Sequence, residues 1–245
     1  MKMDSREIAE IAAAQAAQPR LNLYAGIHKA LRAFMADTLL AVGRMDVDDD
    51  LELAQTCHRV VELLGFCRSH LGHENRFIHT AMEACAPGTS LKLAREHEEH
   101  ERDIARLAAG ATALLAAPPA RRGALAQALY TELAVFVGHN YEHMQVEETE
   151  HNAVLWAHYS DAELAEIHNA LVATIPPQET MLAMRWMLPF LSPAERAAVL
   201  SDMRAHAPAP AFAAVLEAVQ PHLTPPEWAK LARALGLSAA PGPAH

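Results

Sequence analysis

The chain has 245 residues, 51% of them hydrophobic, and a formal net charge of −10 at pH 7. An acidic balance with no basic cluster beyond Arg121-Arg122 argues against nucleic acid or an anionic membrane surface as partner. Apolar runs fall well short of the roughly 20 residues that span a bilayer, no charged-then-apolar signal pattern opens the chain, and three cysteines without a CxxC pair suit a reducing cytoplasm.

Abundant alanine and leucine, few aromatics and no long β-branched runs predict an all-α protein. A short helix is expected over about residues 5–18, ended by Pro19, and a long one over about 20–42, stopped at Gly43. The acidic run Asp46 to Asp50 supplies a cap for the next helix, which reaches about Cys85. Pro87-Gly88 breaks the chain, and Thr89 or Ser90 can cap a third long helix ending before Pro118-Pro119. A fourth runs from about Arg121 to about Tyr159. Short connections between long helices predict an antiparallel up-down-up-down four-helix bundle within residues 1–159. Beyond it, Ser160…Glu163 and Ser192…Glu195 read as capping boxes, the second with proline at the first helical position, and Thr224…Glu227 repeats the pattern. Pro176-Pro177, Pro208, Pro210 and Pro221 divide residues 160–245 into four or five short helices. Residues 239–245 read as a disordered tail.

Fifteen histidines are many for this length, so position must decide which carry chemistry. His70 stands four residues before Glu74, and His143 four before Glu147; on a helix that spacing sets imidazole and carboxylate on one face, a turn apart. Each pair continues an apolar stripe: Val60, Leu63, Cys67, Leu71 and Ile78 for the first, Leu129, Leu133 and Phe136 for the second. His28 lies in line with Tyr24, Leu31, Met35 and Val42, and His97 with Leu93, Ile104, Leu107, Ala111 and Leu114. Six hydrophilic side chains thus occupy positions that a plain bundle fills with leucine. A buried carboxylate must pair, take up a proton or bind a metal. Four imidazoles and two carboxylates converging inside a bundle are a ligand set for a pair of iron or manganese ions. Solvated i,i+4 pairs would explain either motif alone, but not both in register with His28 and His97. His73, His100 and His139 stay open as additional or supporting residues, one turn from the main set. His58, His151, His158, His168, His206 and His222 show no paired spacing and read as structural or exposed. Tyr24 reads as core packing or as a donor to a small bound species, and Met181, Met184, Trp186 and Met187 as core.

Four segments resemble, in order, the helix motifs of hemerythrin-like (HHE cation-binding) proteins over about residues 20–158. They are Ile27-His28-Lys29-Ala30-Leu31-Arg32, His70 to Glu74 with Arg76-Phe77-Ile78, Arg95-Glu96-His97-Glu98-Glu99, and His143 to Glu147-Glu148. The resemblance implies two iron ions in an Fe–O–Fe type centre, with manganese or zinc as alternatives. His28, His70, His97 and His143 would be terminal ligands, and Glu74 and Glu147 would bridge. Where oxygen-carrying members place an HxxxH on the third helix, this chain has Glu101 after His97. Fewer histidines leave more open coordination and favour reactive chemistry over reversible storage. The implied function is binding or reacting with O2, NO or peroxide, in sensing, carrying or detoxification. A di-iron oxidase, peroxidase or NO reductase is the alternative, and a helical interaction module holding zinc or no metal is the third reading. No nucleotide, flavin or electron-transfer cysteine motif accompanies these helices, so redox turnover would need an external electron donor.

Overall fold

A computed structural model describes residues 20–237, which are helical with short connections and contain no strand. No helix among them is long and apolar enough to cross a membrane. The helix expected before Pro19 and the tail from residue 239 lie outside the described residues. The chain forms two compact units: residues up to 25 with 35–174, and residues 26–34 with 175–245. Helix α1 (Ala25–Arg44) contributes to both.

In the first unit, α1 is followed by α2 (Asp50–His73), α3 (His79–Cys85), α4 (Leu91–Leu115), α5 (Pro119–Val146), α6 (Asn152–His158) and α7 (Asp161–Val172). The predicted acidic cap holds: the Asp49 carboxylate accepts from the backbone N–H groups of Leu51 and Glu52, with Asp50 and Glu52 in the first turn, where negative charge meets the positive end of the helix dipole. Helix α4 packs along both α2 and α5. Their facing stripes form a core of Val60, Leu63, Leu64 and Cys67, then Leu93, Ile104, Leu107, Ala111 and Leu114, then Leu129, Leu133 and Phe136, all buried. Ser90 precedes α4 without capping it by side chain. Its hydroxyl instead donates to Glu83 Oε1 at 2.7 Å, while the same carboxylate accepts from Gly88 N at 2.7 Å and Ser90 N at 3.1 Å, closing the α3–α4 turn.

Two predicted continuous helices turn out to be interrupted. Helix α2 runs into a π-helical turn at Glu74–Ile78 before α3, and α5 into another at Glu147–His151 before α6. A π turn closes its hydrogen bonds i→i+5, one residue more than the α-helix, and such bulges concentrate at functional sites. A 3.6-residue stripe carries no mark of them.

In the second unit, α8 (Pro177–Met187), α9 (Pro193–His206), α10 (Ala209–Val219) and α11 (Pro225–Leu235) join residues 26–34. With α7 they are five short helices after residue 160. Ser160/Glu163, Ser192/Glu195 and Thr224/Glu227 all form reciprocal capping boxes. Gly236 ends α11 in the left-handed region at φ 62°, a conformation that costs a residue without Cβ little. The unit's core is apolar: Leu188, Leu191, Leu200, Phe212, Val215, Val219, Leu223, Leu231 and Leu235, with Met181, Met184 and Met187 packed against it. Trp186 stacks on Phe34 at 4.2 Å between centroids and 10° between planes. The methionine–tryptophan cluster is therefore packing, as its helical spacing suggests.

Candidate metal centre

Each π turn begins at a predicted ligand carboxylate. Glu74 opens the first and Glu147 the second. The backbone N–H of His79 donates to the Glu74 carbonyl, and that of Asn152 to the Glu147 carbonyl, each an i→i+5 bond. Two further buried histidines follow: His79, five residues after Glu74, and His151, which ends the second π turn, and their donor atoms lie within 4.8 Å of one another and of Glu147. Glu74, His79, His97, His143, Glu147 and His151 are all buried at 5% exposure or less, and the His70 side chain is 11% exposed.

Donor atoms of Glu74, His97, His143 and Glu147 lie within 4.8 Å of one another. Glu74 divides its oxygens: Oε1 is 3.0 Å from His70 Nε2, and Oε2 is 3.6 Å from His97 Nε2. Glu147 Oε1 is 3.4 Å from His143 Nε2 and 3.8 Å from His97 Nε2. The two imidazole nitrogens, His97 Nε2 and His143 Nε2, are 2.9 Å apart. Two donors bound at about 2.1 Å to one ion, at angles near 90–110°, stand roughly 3.0–3.4 Å apart, so one ion would fit among these atoms with small adjustments. A buried group of histidines and glutamates able to hold a metal ion is therefore present.

Second partners set which ring nitrogen faces inward. His97 Nδ1 donates to Asn75 Oδ1 at 2.8 Å, and His143 Nδ1 donates to Glu96 Oε2 at 2.9 Å. His151 Nδ1 meets the Tyr24 hydroxyl at 3.3 Å. With Nδ1 engaged in each, Nε2 faces the cluster, the usual arrangement of histidines that bind metal. Asn75 and Glu96 are neighbours of Glu74 and His97 in sequence, and only the packed helices reveal their role.

The electrostatics point the same way. Burial, reinforced by the nearby His97, pushes the His79 imidazole down to about 4, and burial with the adjacent His143 does the same to His100. Burial also lowers His151. These rings are neutral at ordinary pH, as metal ligands must be. His143 behaves oppositely: burial disfavours its charge, but hydrogen bonds to Glu147 and Glu96 and the charges of Glu147 and Glu74 hold it up at about 10. Glu147 stays below the usual carboxylate range despite burial and the neighbouring Glu74, because His143 and His97 donate to it. Without a cation His143 thus holds its proton against the neighbouring carboxylates. A metal ion would replace that proton.

Of the predicted ligands, His70, Glu74, His97, His143 and Glu147 come together in the first unit. His28 is completely buried on α1, in the segment 26–34 that groups with the second unit. His100 is buried edge-on against His143 and Phe136, with centroids at 4.9 Å and 6.0 Å, so it packs beside a ligand group without joining it. His73 is half-buried and His139 exposed. His58, His158, His168, His206 and His222 are exposed as expected. His151 is a correction: it reads as structural or exposed in sequence, yet it lies buried within reach of Glu147. His79 escapes a reading by helical spacing altogether, because five residues after Glu74 it falls in line only across a π turn. Comparison with known proteins finds no matching family model, no matching curated protein and no matching solved structure.

Proposed function

We propose that this chain is a hemerythrin-like non-heme di-iron protein, with α1, α2, α4 and α5 as the four helices of its bundle, that binds or reacts with O2, NO or peroxide. His28, His70, His97 and His143 would be terminal ligands, and Glu74 and Glu147 would bridge. The observation that carries the reading is the division of Glu74, one oxygen toward His70 and the other toward His97. That is where a carboxylate shared by two ions must stand. The place of His28 rests on the register of α1. The donors are nitrogen and oxygen, a set suited to iron or manganese. Burial pushes the nearby Cys67 thiol up to about 12, which leaves it a core residue rather than a thiolate ligand.

Bound iron would supply the one-electron chemistry that protein side chains lack. The chain's own residues do the rest. Asn75 and Glu96 fix the ring orientations of His97 and His143, the buried surroundings exclude water, and His143 gives up its proton as metal enters. Electrons for any turnover would come from a separate donor in the cytoplasm.

The test is metal content with the ultraviolet–visible spectrum of the purified protein, followed by stopped-flow mixing of the reduced form with O2, NO and peroxide. At least two irons per chain, with charge-transfer bands that respond to one of these ligands, are expected. Zinc alone, or no metal, would return the protein to the class of helical interaction modules. Binding should also release a proton near neutral pH, because the raised His143 is protonated before metal enters and affinity must rise with pH.

A further inference from the structure

We propose that the centre holds a third metal position, formed by His79, His151 and Glu147, beside the pair proposed above and resting on that reading. The donor atoms of these three residues lie within 4.8 Å of one another, and all three residues are buried. Both ring nitrogens of His79 and Nε2 of His151 have no hydrogen-bond partner in the protein. Core histidines that merely fill space are normally satisfied, because an unmade hydrogen bond costs a buried polar atom its hydration without return. These three atoms point instead to something absent from the polypeptide.

Their placement is built, not incidental. The His79 ring lies against that of His97, with centroids 4.9 Å apart and planes at 16°, and meets His151 at 5.4 Å and 82°. Tyr24 engages His151 Nδ1 at 3.3 Å, so Nε2 is the free donor and Tyr24 is a positioning residue for it. Two separate helices carry a π turn starting at their carboxylate. In a regular α-helix His79 would fall about 140° around from Glu74 and about 180° from His70, away from the face a shared site requires. The first π turn thus lies where it can turn His79 inward, and His151 closes the second.

Two neutral imidazoles and one shared carboxylate suit a divalent first-row transition ion. Three protein donors leave coordination positions open, which makes this the face of the centre where a small ligand can bind. Glu147 would then serve both the pair and the third ion.

Full-length protein, stripped of metal and reconstituted with excess iron(II) without oxygen, tests this by metal per chain after desalting. Three ions are expected in the unsubstituted protein, and two in His79→Gln and in His151→Gln, with far-ultraviolet circular dichroism unchanged. Anomalous diffraction at the iron edge, on crystals of the unsubstituted protein, should show a peak beside His79 and His151 and serves where a variant fails to fold. Two ions in the unsubstituted protein with no anomalous peak at these histidines would overturn the third position while leaving the pair intact. Two ions falling to one in the variants would also overturn it, by making His79 and His151 ligands of the pair. No bound iron at all would overturn the di-iron reading itself.

Discussion

Two sets of buried polar groups, one in each unit, are treated differently. In the second unit, Arg196, buried at 2% exposure, lies among leucine, valine and phenylalanine, and its donors are matched. Arg196 Nε donates to the Leu188 carbonyl at 2.7 Å, and Nη2 to those of Pro189 at 2.9 Å and Leu191 at 3.2 Å. In the first unit, His79 and His151 are equally buried but leave ring nitrogens unmatched. Polar groups closed by carbonyls hold a turn in place. His79 and His151, left open beside the buried Glu147 carboxylate, hold a place for something else.

Magnitudes sharpen the contrast. A leucine at one of these core positions would contribute about 1.5–3 kcal/mol by burial, and an unsatisfied buried polar atom costs about 1–3 kcal/mol. Several such positions approach the 5–15 kcal/mol or so that keeps an ordinary domain folded. The first unit is thus expected to depend on its ions for stability more than the second.

The largest test of this difference is metal removal. Ions present at about a thousand times their dissociation constant stabilise a fold by about 4 kcal/mol, or on the order of 10 °C for a unit of this size. Calorimetry should show the first unit melting earlier after chelation, with a smaller shift in the second, whose segment 26–34 carries His28. Equal shifts would erase the distinction between the two cores.

Within the first unit the carboxylates should matter differently from the histidines. Glu74→Ala or Glu147→Ala is expected to release the bridged pair together, whereas His70→Ala should cost one ion. Metal analysis of the three variants decides it, and uniform single-ion losses would remove the bridging role. In the second unit, Arg196→Met should destabilise by roughly 2–3 kcal/mol, since three carbonyls lose their donor. Iron per chain should stay the same, and a loss of iron in this variant would contradict the separation.

The smallest effect is expected at Lys29 and Glu195, paired at 2.7 Å in the second unit. Partial burial would raise the Glu195 carboxyl, but hydrogen bonds from Lys29 and from Ser192 hold it down at about 2. Its folded value lies below the unfolded one near 4.3. Its contribution is therefore complete above that value and is lost as pH falls toward 2. With the side chain 42% exposed, screening leaves about 0.5 kcal/mol. Glu195→Gln, which keeps the capping geometry, should flatten the acid limb of the stability curve by that amount, and an unchanged curve would show the pair to be inert.

Local pattern was enough to read the helical class, the apolar stripes, the three capping boxes and the His70/Glu74 and His143/Glu147 pairs. Each depends on residues within about four positions of one another, where helical geometry alone sets the outcome. The π turns were decided elsewhere. Nothing between Glu74 and Ile78, or between Glu147 and His151, departs from an ordinary helical pattern, so the inward placement of His79, five residues after Glu74, could not be read from a 3.6-residue period, and that of His151 was settled by packing beside Glu147 and Tyr24. Asn75, Glu96 and Tyr24 gained their partners only when helices distant in sequence packed. Likewise α1, one continuous helix in sequence, contributes residues 26–34 to one unit and its remainder to the other. Periodicity reports which face of a helix is buried; what the face is buried against, and where a helix leaves its own period to reach it, belongs to tertiary packing.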